Sequence, residues 1–254
     1  MNDLHVAKEQ VRYEQLAYWR NPMAAVFTLM FPVVFLIIVG TSGGNFHVPG
    51  TTLKYDQYTV VAMLTFGLIA GCYTNLGMTI CNRRELGILK RVRGTSMSIG
   101  SYVGGIIGNV MINVAILTVI VVGLGMAFYN LHFPYHPLAL LITLLVGIVT
   151  YSALGLAVTV FIPNADAAPA VINGIYFPIV FISGVFYPLS SGSVLTKIAD
   201  YFPIRHLINA MVAAFESGPG SGLQVGDLLV MLIWAAAGLA VVARGFRWEP
   251  RRAR

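Results

Sequence analysis

Read for apolar stretches uninterrupted by Asp, Glu, Lys or Arg, the chain divides into six long runs separated by shorter polar segments. They fall at about residues 22–40, 57–81, 101–129, 137–162, 168–189 and 226–243, and only the last carries a charge, Asp227, at its rim. A helix needs ~20 mostly apolar residues to cross ~30 Å of hydrocarbon, so each run predicts a membrane-crossing helix. The third and fourth are long enough to tilt or protrude. Barrel strands, the other solution to crossing lipid, would alternate apolar and polar residues, and these runs do not. The predicted fold class is therefore an all-α integral membrane protein, with six transmembrane helices in one domain of residues 22–243.

The segments between the runs have patterns of their own. Residues 1–21 place Leu4, Ala7, Val11 and Tyr18 roughly on one helical face, with Lys8, Glu9 and Arg12 away from it, and end in Tyr18-Trp19-Arg20. This predicts an amphipathic helix lying in the cytoplasmic membrane interface ahead of the first span. Residues 187–225 are long for an unstructured loop and contain Val194, Leu195, Ile198, Tyr201 and Phe202, then Leu207, Ile208, Met211, Val212 and Phe215. Two short amphipathic external helices broken near Pro203 fit that pattern, packing on the outer leaflet or dipping into the bundle. Residues 244–254 form a basic tail.

Charge then orients the bundle. Lys8, Arg12 and Arg20 precede the first run; Arg83, Arg84, Lys90, Arg91 and Arg93 follow the second; Arg244, Arg247, Arg251, Arg252 and Arg254 follow the sixth. Thirteen basic residues thus flank one side against Lys54, Lys197 and Arg205 on the other, which predicts both termini in the cytoplasm and an even number of crossings. Composition agrees: 57% of residues are apolar and 10% charged, with a mean hydropathy of +0.77, where a soluble domain carries ~25% charged residues. The net charge of +6 would suggest nucleic acid on a soluble chain, but its confinement to the flanks of membrane runs excludes that partner and points to membrane lipid. Cys72 and Cys81 lie nine residues apart, ~13 Å along a helix, too far for a disulfide between them.

The chain carries no nucleotide-cradling G-x-x-x-x-G-K-[ST], H-E-x-x-H, C-x-x-C or G-x-S-x-G, so no catalytic set and no ATPase site of its own is expected. His132 and His136 flank Pro134, which argues against a helical metal pair, and no metal site is predicted. The run interiors lack ionisable relays, which disfavours ion-coupled transport. Their polar residues include Asn75, Asn109, Asn113 and Asn173, candidates for lining a pathway; the plainer reading is hydrogen bonding between helices. Gly67 with Gly71 and Gly104 with Gly108 permit close helix packing. Within Cys81–Ser98, the single acid Glu85 in a basic, apolar helical pattern suggests a docking surface.

Two stretches carry a family resemblance. Arg84 to Ser96, RELGILKRVRGTS, and Phe181 to Ser190, FISGVFYPLS, followed by Asp200 to Leu207, DYFPIRHL, together resemble the permease subunits of type-2 ABC transporters, the bacterial exporter family that includes daunorubicin-resistance permeases and O-antigen exporters. Ser96 stands where a proline is common, and Ser191-Gly192-Ser193 replaces a Leu-Pro-like step. The resemblance implies a permease in the bacterial inner membrane, two of which, identical or homologous, pair over two copies of a separate ABC ATPase subunit that holds ATP and Mg. It implies that Arg84, Glu85, Leu86, Gly87, Ile88, Leu89, Lys90 and Arg91 form the ATPase-coupling helix, with Asn164, Ala165 and Asp166 as a second cytoplasmic contact. The uncharged runs suit export of an amphipathic or lipid-like substrate: drug efflux first, polysaccharide or lipid export as alternatives. The reading from another class is a non-transporting membrane anchor or regulator of a cytoplasmic partner, using the same basic loop.

Overall fold

The computed structural model describes residues 3–21, 26–42, 46–95, 97–189, 192–218 and 220–249. Its helices are α1 (Asp3–Trp19), α2 (Phe31–Ser42) entered through a π-helical turn at Val26–Met30, α3 (Tyr55–Ile69), α4 (Leu76–Glu85), α5 (Ile88–Arg93), α6 (Ile99–Phe128), α7 (Pro137–Thr159), α8 (Ala168–Ile182), α9 (Val194–Ala199), α10 (Pro203–Phe215) and α11 (Val225–Gly245). A second π-helical turn, Ala70–Asn75, joins α3 to α4 in one rod. Among the described residues there is no β-strand, only one bridge between His47 and Lys54.

Four helices are long and apolar enough to cross a membrane: Tyr55–Glu85, Gly100–Phe128, Pro137–Thr159 and Val225–Gly245. Two shorter apolar helices, Thr28–Val39 and Ala168–Ile182, occupy the predicted first and fifth runs. Residues 22–25 of the first run lie outside the described residues. The fifth run predicts helix to residue 189, but α8 stops at Ile182 because Gly184, at φ +92°, takes the left-handed conformation that ends a helix. The chain beyond still packs: Val185 is buried, and the Phe186 ring lies 5.2 Å from Phe35 and 4.7 Å from Phe181. The second run extends four residues past its predicted end at Cys81, to Glu85, so Arg83 and Arg84 belong to the helix.

The α3–α4 rod is the axis of the bundle, with every residue from Tyr58 to Ile69 buried. It packs against α7 at a point that demands glycine: a Cβ on Gly155 would sit 2.8 Å from the Cys72 carbonyl and 2.9 Å from that of Tyr73, both in the π-helical turn. The turn pushes backbone toward α7, and Gly155 makes room for it. On other sides the rod meets Pro32 of α2 at Gly67 and Val60 packs on Gly125 of α6. Outside α7 lies α11, where Thr150 donates to the Met231 carbonyl at 3.1 Å and Gly238 abuts Ala153.

Two amphipathic segments are built into this bundle. Helix α1 runs along the first half of α6, with Gln10 on Gly105 and Val11 on Gly108. Its inward positions are Ala7 and Val11, half-buried, and Glu14 and Tyr18, buried. The small-residue step that receives α1 is thus Gly105 and Gly108, whereas a Cβ on Gly104 would meet nothing. Helix α10 buries almost its whole length, and its Leu207 packs over Gly147 of α7, where Leu68 of α3 also meets it. Gly147 is ten residues along α7 from Pro137, so α10 descends ~15 Å beside that helix.

Candidate functional site

The exposed ends of the rod, α5, α6, α7 and α11 gather at one end of the bundle. There the rod closes with Arg83, Arg84 and Glu85, and Gly87 at φ +68° turns the chain sharply into α5. Six residues are too few to hold a helix in isolation, so α5 depends on tertiary anchorage. Leu89 supplies it: the side chain is fully buried in a cluster with Leu76, Ile80, Tyr102 and Ile106, flanked by Val92, Phe246 and Trp248. Glu85, Leu86, Ile88, Lys90 and Arg91 face outward, Leu86 59% exposed and Ile88 36%. Leu86, in the turn before α5, and Ile88, at its first position, are thus apolar side chains exposed among charged neighbours. Lys90 pairs with Glu249 beyond α11 at 3.2 Å; with both groups well exposed, this pair adds little to stability. Arg251, Arg252 and Arg254 of the tail lie outside the described residues.

The two arginines before this turn point to different parts of the bundle. Arg83 makes a two-pronged ion pair with Glu14 of α1, both N···O distances 2.6 Å, and donates to the Tyr102 hydroxyl at 3.0 Å. Gln10 donates to the same carboxylate at 2.7 Å. Arg84 is buried and donates to the Thr159 and Ile162 carbonyls at 2.9 and 2.7 Å, satisfying the end of α7 where carbonyls lack helical partners. Arg84 and Leu89 therefore face inward, while the remaining residues of the predicted coupling segment face out or, for Gly87, make the turn.

Asn164, Ala165 and Asp166 lie just beyond Ile162, so Arg84 brings them to the same end as α5. Asn164 and Asp166 are exposed, and the Asn164 side chain accepts from the Ala167 amide at 2.9 Å at the start of α8. The asparagines divide. Asn75, Asn109 and Asn113 border one small cavity with Tyr18, Thr28, Gly67 and Gly71, with room for about one water at 10 Å³. Gln15 of α1 donates to the Asn109 main-chain carbonyl at 3.2 Å and to Asn113 Oδ1 at 3.1 Å, so of these side-chain amides Asn113 bonds between helices, while Asn109 Oδ1 accepts from Asn113 within α6 at 3.4 Å. Asn173, half-buried on α8, is not among the cavity's residues. Glu14, Gln10, Gln15 and Tyr102 were not singled out from sequence. Glu14 had a legible signal, an acid within the apolar stripe of positions 7, 11 and 18.

At the opposite end, His206 of α10 bonds Asp227 of α11 at 2.6 Å and the Asp200 carbonyl at 2.8 Å. The hydrogen bond to Asp227 holds the imidazole pKa above its ordinary 6.5, against the lowering effect of partial burial. Trp234 donates to the Tyr201 carbonyl at 3.2 Å, adding a second tie between the descending segment and α11. Among the described residues no group of three His, Cys, Asp or Glu side chains gathers as a metal would require.

The geometry offers a helical bundle with a presented helix at one end. No curated protein matches the chain. The family model described as ABC-2 type transporter matches from residue 8 to residue 215, from α1 through α10 and well over half of the sequence. A match of that extent, on a multi-pass helical bundle, identifies the chain as a member of the ABC-2 type transporter family, a permease that forms the membrane component of a transporter rather than its catalytic part.

Proposed function

We propose that the protein is the permease subunit of an ATP-driven exporter, with α5 as the coupling helix that seats in a separate ATPase subunit. The observation that carries this reading is the presentation of α5. A left-handed glycine and a buried leucine fix the helix to the bundle, while Glu85, Leu86, Ile88, Lys90 and Arg91 are turned outward. Family membership implies an ABC ATPase partner in general. Two permease copies over two ATPase subunits would then form one pathway, and Asn164 to Asp166 would add a minor contact beside the main one.

In this reading the chain crosses the bacterial inner membrane six times with both termini in the cytoplasm, supported by the thirteen-to-three distribution of basic residues. The first and fifth crossings would be completed by non-helical or neighbouring segments. Tyr18 near the end of α1 borders the same cavity as Thr28 in the π-helical turn ahead of α2, and the non-helical residues beyond α8 still pack on the bundle through buried Val185. The uncharged span interiors suit an amphipathic or lipid-like substrate, with drug efflux the favoured class.

The test is isolation of the tagged protein from native membranes in mild detergent, followed by mass spectrometry. A stoichiometric Walker-motif ATPase is expected with the wild type, and its loss with Leu86→Asp combined with Ile88→Asp. Retention of the ATPase by that variant would remove α5 as the docking element. Absence of any ATPase from the wild type would favour the anchor or regulator.

A further inference from the structure

The neck of α5 holds two adjacent arginines, Arg83 half-buried and Arg84 buried, whose bonds diverge. Arg83 reaches α1 and α6 through Glu14 and Tyr102, and Arg84 reaches the end of α7 through two carbonyls. The pairing of Arg83 with buried Glu14 is not what stability alone would select, whereas Arg84 also satisfies the carbonyls that end α7. A buried ion pair is expensive to desolvate and is often no better than apolar packing of equal volume; its attested use is to hold one register or one of two states. The site is also over-determined: Glu14 takes both guanidinium nitrogens and the Gln10 amide, and Tyr102 accepts from the same Arg83 nitrogen. Only Glu85, Leu86 and Gly87 separate Arg84 from the first residue of α5, and the chain there is helical or tightly turned. A displacement of α5 therefore has little slack before it reaches these bonds.

We infer that Arg83 with Glu14, and Arg84 with the Thr159 and Ile162 carbonyls, are positioning residues that divide the movement of α5 between two parts of the bundle, α1 with α6 on one branch and α7 on the other. The inference rests on the proposed role of α5. Directional bonds carry it: an apolar contact would let α1 or α7 slide over the rod, whereas a bidentate pair and a two-carbonyl clamp transmit both push and pull. The Gly105 and Gly108 step seats α1 closely on α6, so the first branch moves as one body.

The experiment uses the complex of this chain with its ATPase in lipid nanodiscs. Spin labels are placed in pairs between a fixed reference on exposed Leu232 of α11 and either exposed Tyr13 of α1 or exposed Phe161 beyond α7. Distances are read with and without ATP and vanadate. In the wild type both pairs shift with nucleotide. Glu14→Gln with Arg83→Gln, which removes both charges together and strands neither, abolishes the shift at Tyr13 and leaves that at Phe161. Arg84→Met does the reverse. A role limited to stability would lower the melting temperature and damp both shifts alike, so the selective loss is the diagnostic result.

Should the double variant fail to insert, Tyr102→Phe, which deletes only the 3.0 Å bond from Arg83, is expected to reduce the Tyr13 shift alone. Bound ATPase with both shifts intact in every variant overturns the division of movement while leaving the exporter reading standing. A wild type that recruits no ATPase overturns both.

Discussion

Truncating Leu89 separates the anchor of α5 from its outward face. The side chain is fully buried among Leu76, Ile80, Tyr102 and Ile106, while its neighbours Leu86 and Ile88 are turned out. Leu89→Ala removes three carbon groups at ~0.8 kcal/mol each, and the cavity left behind raises the cost to about 2–5 kcal/mol. That loss falls on a six-residue helix with no independent stability, so it appears as local opening rather than as collapse of the bundle. At ~1.4 kcal/mol per tenfold, the low end of the range speeds amide exchange across residues 86–93 by about 30-fold. Hydrogen exchange with mass spectrometry on the detergent-solubilised protein reads this directly, with peptides from α3 and α7 as internal controls. Leu86→Ala and Ile88→Ala are expected to leave exchange within about twofold of wild type, because exposed positions cost under ~0.5 kcal/mol. Unchanged protection of 86–93 in Leu89→Ala would refute the anchoring argument. So would equal deprotection of the whole bundle, since α5 would then not be a separate unit.

Two further predictions concern packing and pH. Gly155→Ala places a methyl 2.8 and 2.9 Å from backbone carbonyls that cannot rotate away, so overpacking should cost about 1–3 kcal/mol and lower the melting temperature; a neutral result would mean the π-helical turn yields easily. His206, its pKa raised by Asp227, stabilises the α10–α11 tie fully below its unfolded value of about 6.5, and loses that contribution as pH rises through the folded value. Asp227, Asp200 and Arg205 are the charged groups around it. The melting temperature should therefore fall on passing from acid to alkaline pH, and His206→Gln should flatten that slope; an unaltered slope would place the pH dependence elsewhere.

Much of this protein is written locally. The long uncharged runs determine the four spanning helices, because each must satisfy its own backbone hydrogen bonds in hydrocarbon regardless of its neighbours. The basic loop and its short helical pattern located α5, and the RELGILKRVRGTS segment pointed to the family that the match from residue 8 to residue 215 identifies. Ala7, Val11 and Tyr18 of the stripe in α1 turn inward as its spacing foretold. Chain direction and helix period suffice for all of these.

Tertiary structure alone decided which of the basic residues are drawn into the bundle. From the sequence, Arg83 and Arg84 read as cytoplasmic flank charges like Lys90 and Arg91, since all four follow an apolar run. The fold draws the first two into the bundle, half-burying Arg83 and burying Arg84, through partners the local pattern does not see: Glu14 lies 69 positions away from Arg83, and the Thr159 and Ile162 carbonyls lie 75 and 78 positions away from Arg84. It likewise turned Leu89 inward and Leu86 outward, and drew Asn109 and Asn113 into bonds with Gln15 while leaving Asn173 apart. The premature end of α8 at Gly184 and the descent of α10 beside α7 are of the same kind. Local periodicity states that a residue has a face. Which surface meets that face depends on contacts between segments far apart in the chain, and those exist only once the helices are assembled.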